Sequence, residues 1–142
     1  MDVNAHYDRL FSEIERCYGS FDDETLTGLI GFTGGGPVSL AKNDKQNLYV
    51  TVELSLNSDQ TKSSDGLKFE LLSVGDFDAD SCQKLFTALG TLSLNAKLGH
   101  GHTIDVSGVL GGQGPSQVRL ELFCKERMGL LRKYGVYRVR PA

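Results

Sequence analysis

Hydrophobic and polar residues follow two different periods along this chain, and together these periods predict helices packed against a sheet. Between positions 7 and 18, apolar residues recur every three or four positions, which is the spacing of one helical face. Gly19 stands where a helix often ends in a left-handed residue. A second helix is predicted from about Ser81, with Asp80 as its N-cap and Gln83 completing a capping box.

The strands are predicted from alternation with a period of two. Residues 48–56 give the clearest case, because leucine or valine occupies every second position, which predicts one buried and one more hydrated face. Residues 67–74 are apolar on both faces toward their end, as in a central strand covered on both sides. Residues 57–66 contain no apolar side chain and are predicted to form an exposed loop. Further strands are predicted at 25–33, 37–41, 103–110, 117–124 and 134–140, and a short third helix at 125–133.

These elements predict an α+β fold. We expect a mixed, largely antiparallel sheet of about six strands with two to three helices packed on it, because most strand connections are short and hairpin-like. A length of 142 residues suits one domain, so residues 1–142 are assigned to a single domain. The content of 39% hydrophobic and 23% charged residues is that of an ordinary globular protein.

The charge of the chain is unevenly distributed. The net charge of −3 gives no reason to expect nucleic acid or a membrane as a partner. Residues 119–142 nevertheless carry 7 basic and 2 acidic side chains, whereas residues 1–118 carry 8 basic and 16 acidic ones. Two interpretations stay open: the two parts balance each other within one fold, or the C-terminal part forms a basic patch for an acidic partner.

The N-terminal residues and the cysteines indicate a cytoplasmic protein. The first residues lack the basic and apolar regions of a signal peptide, and no apolar run approaches the length of a transmembrane helix. Cys17, Cys82 and Cys124 are odd in number and form no Cys-x-x-Cys pair. We interpret them as reduced, mostly buried thiols.

Two loops resemble ligand-binding motifs but lack residues that the chemistry needs. The glycine-rich stretch 31–37 has no lysine followed by serine or threonine, as a phosphate-binding loop requires, and it leads into a strand. We interpret it as a hairpin-like turn. Alternating aspartates at 76–80 suggest a calcium loop, but its sixth and twelfth positions hold Ser81 and Thr87 instead of glycine and glutamate. A helix N-terminus explains these aspartates better.

The Gly-His-Gly-His segment is the clearest candidate for metal chemistry. In an extended segment, the side chains of His100 and His102 would point the same way. Zinc needs three or four ligands, and neither His6 nor any cysteine is clustered near this pair in sequence. We therefore interpret the segment as a glycine-flanked turn. A small metal-dependent or Cys/His-dependent hydrolase is the alternative function.

Two glutamates interrupt the apolar pattern of neighbouring strands. Glu53 and Glu70 fit either an acid–base pair or cross-strand partners of Lys68 and Arg119, and we favour the second description. No Gly-x-Ser-x-Gly nucleophile elbow is present. The sequence therefore predicts no catalytic residue, no metal ligand and no cofactor.

Short motifs occur in an order that can be compared with a protein family. Residues 49–55 (Tyr-Val-Thr-Val-Glu-Leu-Ser) precede residues 67–72 (Leu-Lys-Phe-Glu-Leu-Leu), which are followed by a predicted helix and by residues 98–103 (Leu-Gly-His-Gly-His-Thr). This order resembles the suppressor-of-fused-like family, in particular its bacterial members. Segments near both ends are also similar, so the resemblance extends over roughly residues 30–140.

The resemblance implies a non-enzymatic, cytoplasmic domain that binds another protein without a cofactor. The animal relative accepts a peptide of its partner as an added strand, which requires an unpaired sheet edge. The bacterial relatives suggest an immunity protein that neutralises a toxin domain. A homodimer formed through the basic C-terminal part is a further alternative. The residues that we predict to contact a partner are Tyr49, Thr51, Glu53, His100, His102, Arg138 and Arg140.

Overall fold

The computed structural model describes residues 3–23, 25–26, 31–112, 114–127 and 133–142. Its two α-helices are α1 (Val3–Tyr18) and α2 (Ala79–Ser93). Its strands are β1 (Thr25–Leu26), β2 (Ser39–Asn43), β3 (Leu48–Val52), β4 (Lys68–Val74), β5 (Thr103–Asp105), β6 (Gln117–Arg127) and β7 (Lys133–Pro141). Short 3₁₀ helices occur at Phe32–Gly34, Asp44–Gln46 and Leu54–Leu56.

All described strands belong to one mixed sheet, in the order β1-β2-β3-β4-β7-β6-β5. Neighbouring strands are antiparallel except for β4 and β7, which run parallel at the centre. The predicted α+β class, with its largely antiparallel sheet and two to three helices, is therefore confirmed. The two-residue β1 brings the strand count slightly above the expected six.

The helices cover opposite faces of the sheet, so the protein has two hydrophobic cores. The larger core lies under α2 and includes Phe69 and Tyr137, whose rings meet edge to face with their centroids 5.2 Å apart. The smaller core lies under α1 and includes Leu10 and Ile14 of that helix. Both faces of β4 are therefore buried, as the sequence predicted for residues 67–74.

The strand predicted at 48–56 is shorter and more buried than its alternation indicated. β3 ends at Val52 because Glu53 adopts the left-handed conformation, with a φ of 77°, and a 3₁₀ helix follows. The change of direction sends Leu54 into the core under α2, whereas Val50 packs in the core under α1. The more hydrated face that we predicted is wrong, because a helix covers each side of the sheet.

Several predicted boundaries are also wrong. Asp78, not Asp80, caps α2, because its Oδ1 accepts the Ser81 N–H at 2.7 Å. Part of the strand predicted at 25–33 is the 3₁₀ helix at 32–34, and residues 27–30 lie outside the described residues. The strand predicted at 103–110 ends at 105, before a turn that contains left-handed glycines.

The helix predicted at 125–133 is contradicted at both of its ends. Residues 125–127 continue β6, and Lys133 already belongs to β7. Residues 128–132 lie outside the described residues. The predicted loop at 57–66 does lack regular structure, but Gln60 and Ser63 are buried in it, because they hydrogen-bond to the backbone at 69 and 67.

Replacing Gly135 with alanine tests how closely the central strands approach each other. A Cβ at this position would lie 2.7 Å from Leu67 Cδ1 and 3.0 Å from the backbone oxygen of Cys124. We expect Gly135→Ala to lower the free energy of unfolding by about 1–3 kcal/mol, the usual cost of overpacking. Urea denaturation measures this change. A double-mutant cycle with Leu67→Val should show favourable coupling, and unchanged stability of the single variant would contradict the packing.

Candidate functional site

Three of the predicted contact residues lie on β3 or directly after it, and their side chains contact the interior of the protein. Tyr49 is only 7% exposed and Thr51 is fully buried. Glu53 is partly buried, and its Oε1 accepts the Phe32 N–H at 2.8 Å. None of these side chains presents a large exposed surface in this structure, and a role for them in partner binding stays a prediction.

The other four predicted contact residues lie toward the opposite edge of the sheet. His100 and His102 are exposed in the turn that precedes β5. Arg138 and Arg140 point from β7 to the same face of the sheet, since they are two residues apart on one strand. Arg138 is partly buried, donates to Val74 O at 3.1 Å and lies 3.7 Å from Asp76. Arg140 is exposed.

Glu70 of β4 carries a fully buried carboxylate that lies beside the end of β3. Its Oε1 accepts hydrogen bonds from the Thr51 hydroxyl at 2.7 Å and from the Leu54 N–H at 3.2 Å. Its Oε2 accepts the Ser55 N–H at 2.7 Å and the Ser55 hydroxyl. Pairing of Glu70 with Lys68 is therefore wrong, because the Lys68 ammonium donates to backbone oxygens of the neighbouring loop instead.

This environment makes Glu70 a structural group that titrates near neutral pH. Burial raises the pKa of Glu70 to about 7, although its four hydrogen bonds act in the opposite direction. Glu53 is bound to the Phe32 N–H of another turn, and no hydrogen bond joins the two glutamates among the described residues. The two glutamates therefore organise two backbone turns and do not form an acid–base pair.

Replacing Glu70 with glutamine should change how stability depends on pH. The folded-state pKa lies above the ordinary value of 4.5, so the contribution of Glu70 to stability is greatest below pH 4.5 and is lost as pH rises to about 7. This loss amounts to about 3 kcal/mol. Glu70→Gln removes the titration but leaves an amide N–H facing other donors, which itself destabilises by roughly 1–3 kcal/mol.

Urea denaturation at pH 4.5, 6 and 8 measures this effect. The stability difference between wild type and Glu70→Gln should shrink as pH rises, whereas a Glu121→Gln control at a half-exposed site should show no comparable trend. Parallel stability profiles of wild type and Glu70→Gln would contradict the assigned role of the carboxylate.

The thiols and histidines do not gather around Glu70 or around a metal site. Burial raises the pKa values of Cys82 and Cys124 to about 12, so neither supplies a thiolate near neutral pH. Cys17 is exposed on α1. Within the described ranges, no three His, Cys, Asp or Glu side chains are placed to hold a metal ion. No observation therefore favours the alternative hydrolase.

The Gly-His-Gly-His turn is fastened to the sheet by Asp65 and by His100 itself. Asp65 Oδ2 accepts the His100 N–H at 3.0 Å and the Tyr137 hydroxyl at 2.5 Å, and these bonds lower the pKa of Asp65. His100 Nδ1 accepts the Leu122 N–H at 2.9 Å. The imidazole therefore satisfies a backbone donor of β6 just beyond the end of β5, and its proton resides on Nε2.

His100 should protect the edge of β6 through its acceptor nitrogen. We expect His100→Ala to speed hydrogen exchange of the Leu122 amide, because the N–H then opens to water. His100→Asn should retain most of the protection, since the asparagine Oδ1 is placed like Nδ1 and also accepts. NMR exchange of single amides measures both effects. Equal exchange at Leu122 in the wild type and in His100→Ala would contradict this arrangement.

β5 forms one edge of the sheet, and no described strand pairs with its outward side. The Leu120 N–H donates to His102 O at 3.0 Å, and the Val106 N–H donates to Ser116 O at 2.8 Å, which shows that even-numbered positions bond to β6. Thr103 and Asp105 therefore direct their N–H and C=O groups away from β6. Both residues are exposed.

A row of exposed side chains crosses the sheet beside this edge. The strand register aligns Thr103 of β5, Arg119 of β6 and Arg140 of β7 on one face. Two arginines placed directly opposite each other repel. Glu121 lies 3.8 Å from Arg140, but no described residue forms an ion pair with Arg119. Arg119 was not among the contact residues predicted from the sequence, although it lies between the apolar residues Val118 and Leu120 of a predicted strand and therefore on its polar face.

Comparison with known proteins identifies the fold. No protein-family model matches the sequence, and no curated protein matches it. A chain described as "the Sufu-Fu complex crystal structure" is similar in structure, with a TM-score of 0.63 and 13% sequence identity, over 96% of this chain and 73% of that chain. At this identity the likeness shows the fold alone. The protein is thus an α+β domain with a suppressor-of-fused-like fold.

Neither helix of the described residues has the length and apolar character that a transmembrane helix needs.

Proposed function

We propose that this chain is a protein-interaction domain that binds an extended segment of its partner along the open edge of β5. The outward orientation of the backbone groups at Thr103 and Asp105 carries the proposal. An added strand would satisfy these donors and acceptors, and alternate side chains would provide specificity. The suppressor-of-fused-like fold supports a binding role over a catalytic one, as does the absence of a converging reactive cluster in the described part of the chain.

The partner segment that suits this edge is acidic. Arg119 and Arg140 lie one and two strands inward from Thr103, on the face to which alternate side chains of an added strand would point. A carboxylate opposite Thr103 would relieve the repulsion between the arginines, because the short Thr103 side chain leaves room for Arg119 to reach across. Asp105 would repel a carboxylate placed directly opposite it on the added strand, so we expect no second acidic side chain at that position. In this proposal, the basic C-terminal part of the chain is the patch that contacts an acidic partner.

A finer proposal concerns the nature of the partner. The ordered sequence motifs resemble bacterial members of the family, and we propose that the partner is a toxin domain, which this chain would neutralise in the cytoplasm as an immunity protein. Burial of a toxin segment along an edge strand would provide a physical route to such inhibition, since strand addition fixes the segment in one register. A homodimer formed through the same edge is the competing arrangement.

A proline at position 103 should abolish partner binding and leave the fold intact. Thr103→Pro removes the outward N–H, whereas the hydrogen bonds to β6 come from even-numbered positions and stay in place. Thr103→Val is the matched control, because it keeps the N–H and loses only the hydroxyl. Affinity capture from lysate of the source organism, followed by quantitative mass spectrometry, compares the two variants with wild type.

We expect a stoichiometric protein that wild type and Thr103→Val retain and that Thr103→Pro loses. Circular dichroism and the melting temperature check that each variant is folded, and Asp105→Pro with an Asp105→Asn control provides a second pair. Capture that is equal in all variants would contradict edge addition. Light scattering that shows a wild-type dimer and a Thr103→Pro monomer would assign the edge to self-association.

A further inference from the structure

A cleft of about 400 Å³ lies at the end of the sheet opposite the Arg119–Arg140 row. Lys62, Lys68 and Lys133 line it together with Ser58, and none of the described residues that line it is acidic. β7 starts at Lys133 beside the cleft and reaches Arg140 about 20 Å further along the strand. Arg140 belongs to the row of side chains beside the β5 edge. The cleft is therefore separate from the proposed partner site.

The three lysines differ in how firmly they are held. The Lys68 ammonium donates to Asn57 O and, at 3.1 Å, to Gln60 O, so it is fixed at the wall of the cleft. Burial lowers the pKa of Lys68 and nearby Lys62 lowers it further, whereas Asp59 acts in the opposite direction. Lys62 and Lys133 are exposed. The site thus combines one fixed cation with two that can move toward a ligand.

A concave site lined by charges of one sign concentrates the electric field and attracts the opposite charge. Lysine ammonium groups bind phosphate oxygens as point charges, and a serine hydroxyl adds a further donor. The volume lies within the range of small-molecule sites and is large enough for a phosphate group with a small substituent. A multivalent anion would also relieve the repulsion between Lys62 and Lys68.

We propose that this cleft binds a phosphate group, supplied either as free phosphate or as the phosphate monoester of a small molecule. Nothing in this proposal depends on partner binding at β5. The two sources share the chemistry of a dianionic phosphoryl group, and they differ in whether the remaining volume of the cleft is filled.

Thermal denaturation with inorganic phosphate and with glycerol 3-phosphate tests the proposal, with sodium chloride keeping ionic strength constant. The test variant is Lys62→Gln/Lys133→Gln, since both side chains are exposed and the double change should not disturb folding. The control is Lys45→Gln/Lys97→Gln, which removes two exposed lysines elsewhere and alters the net charge equally. Without phosphate, the test variant should melt at the same temperature as wild type or slightly higher.

At saturating phosphate, we expect wild type and control to melt roughly 3 °C higher or more. The test variant should show little of this rise, and its affinity should fall on the order of tenfold or more. Tighter binding of glycerol 3-phosphate than of phosphate assigns the site to a monoester, and the reverse order assigns it to the free ion. A rise that is equal in all three proteins, or no rise in wild type, would overturn the proposal. Equal, lysine-dependent stabilisation by citrate would replace the phosphate with a carboxylate ligand.

Discussion

The buried carboxylate of Glu70 is the interaction on which the middle of the sheet depends. It receives hydrogen bonds from the end of β3 and from the 3₁₀ helix that follows, so it fixes the point at which the chain leaves the sheet. That departure carries Leu54 toward α2, where it meets Gly90. A Cβ at Gly90 would lie only 3.0 Å from Leu54 and 3.1 Å from Phe32, so the missing side chain is what allows this packing. The same departure places Ser55 at the wall of the lysine cleft.

The alternation of residues 48–56 shows how far the sequence could predict this arrangement. The pattern identified the strand and its buried residues, because burial of every second side chain is a local property. It could not show that Glu53 would turn left-handed, since the reason lies in donors and acceptors contributed by residues 7, 32 and 70. The sequence showed that Glu53 and Glu70 interrupt the apolar pattern of their strands, and we predicted charged cross-strand partners for them. In the structure, both carboxylates accept hydrogen bonds from backbone N–H groups instead.

The sequence predicted individual features of the candidate site but not how the strands bring them together. The basic excess at 119–142 and the glycine-flanked histidines could both be seen in the sequence. The position of β5 at the edge could not, because it follows from the parallel pairing of β4 with β7, which brings the C-terminal strand into the centre and leaves β6 and β5 outside it. The register of β5, β6 and β7 likewise places Arg119 opposite Arg140. The residue pattern within a single strand contains no information about that register.

The β5 edge is available for strand pairing but also has features that limit unspecific pairing. An exposed edge invites unspecific pairing, and natural sheets limit this risk with short edge strands and with charges close to the edge. β5 has only three residues, and His100 accepts the Leu122 N–H of β6 beyond it, so the outward backbone groups of β5 are limited to those of Thr103 and Asp105. In the proposed binding mode, Arg119 and Arg140 add a requirement for negative charge to the requirement for an extended segment. Under the edge-addition proposal, a segment that adds here would be extended, short in its contact and acidic on the face of the two arginines, and these conditions together would make a small edge selective for one partner.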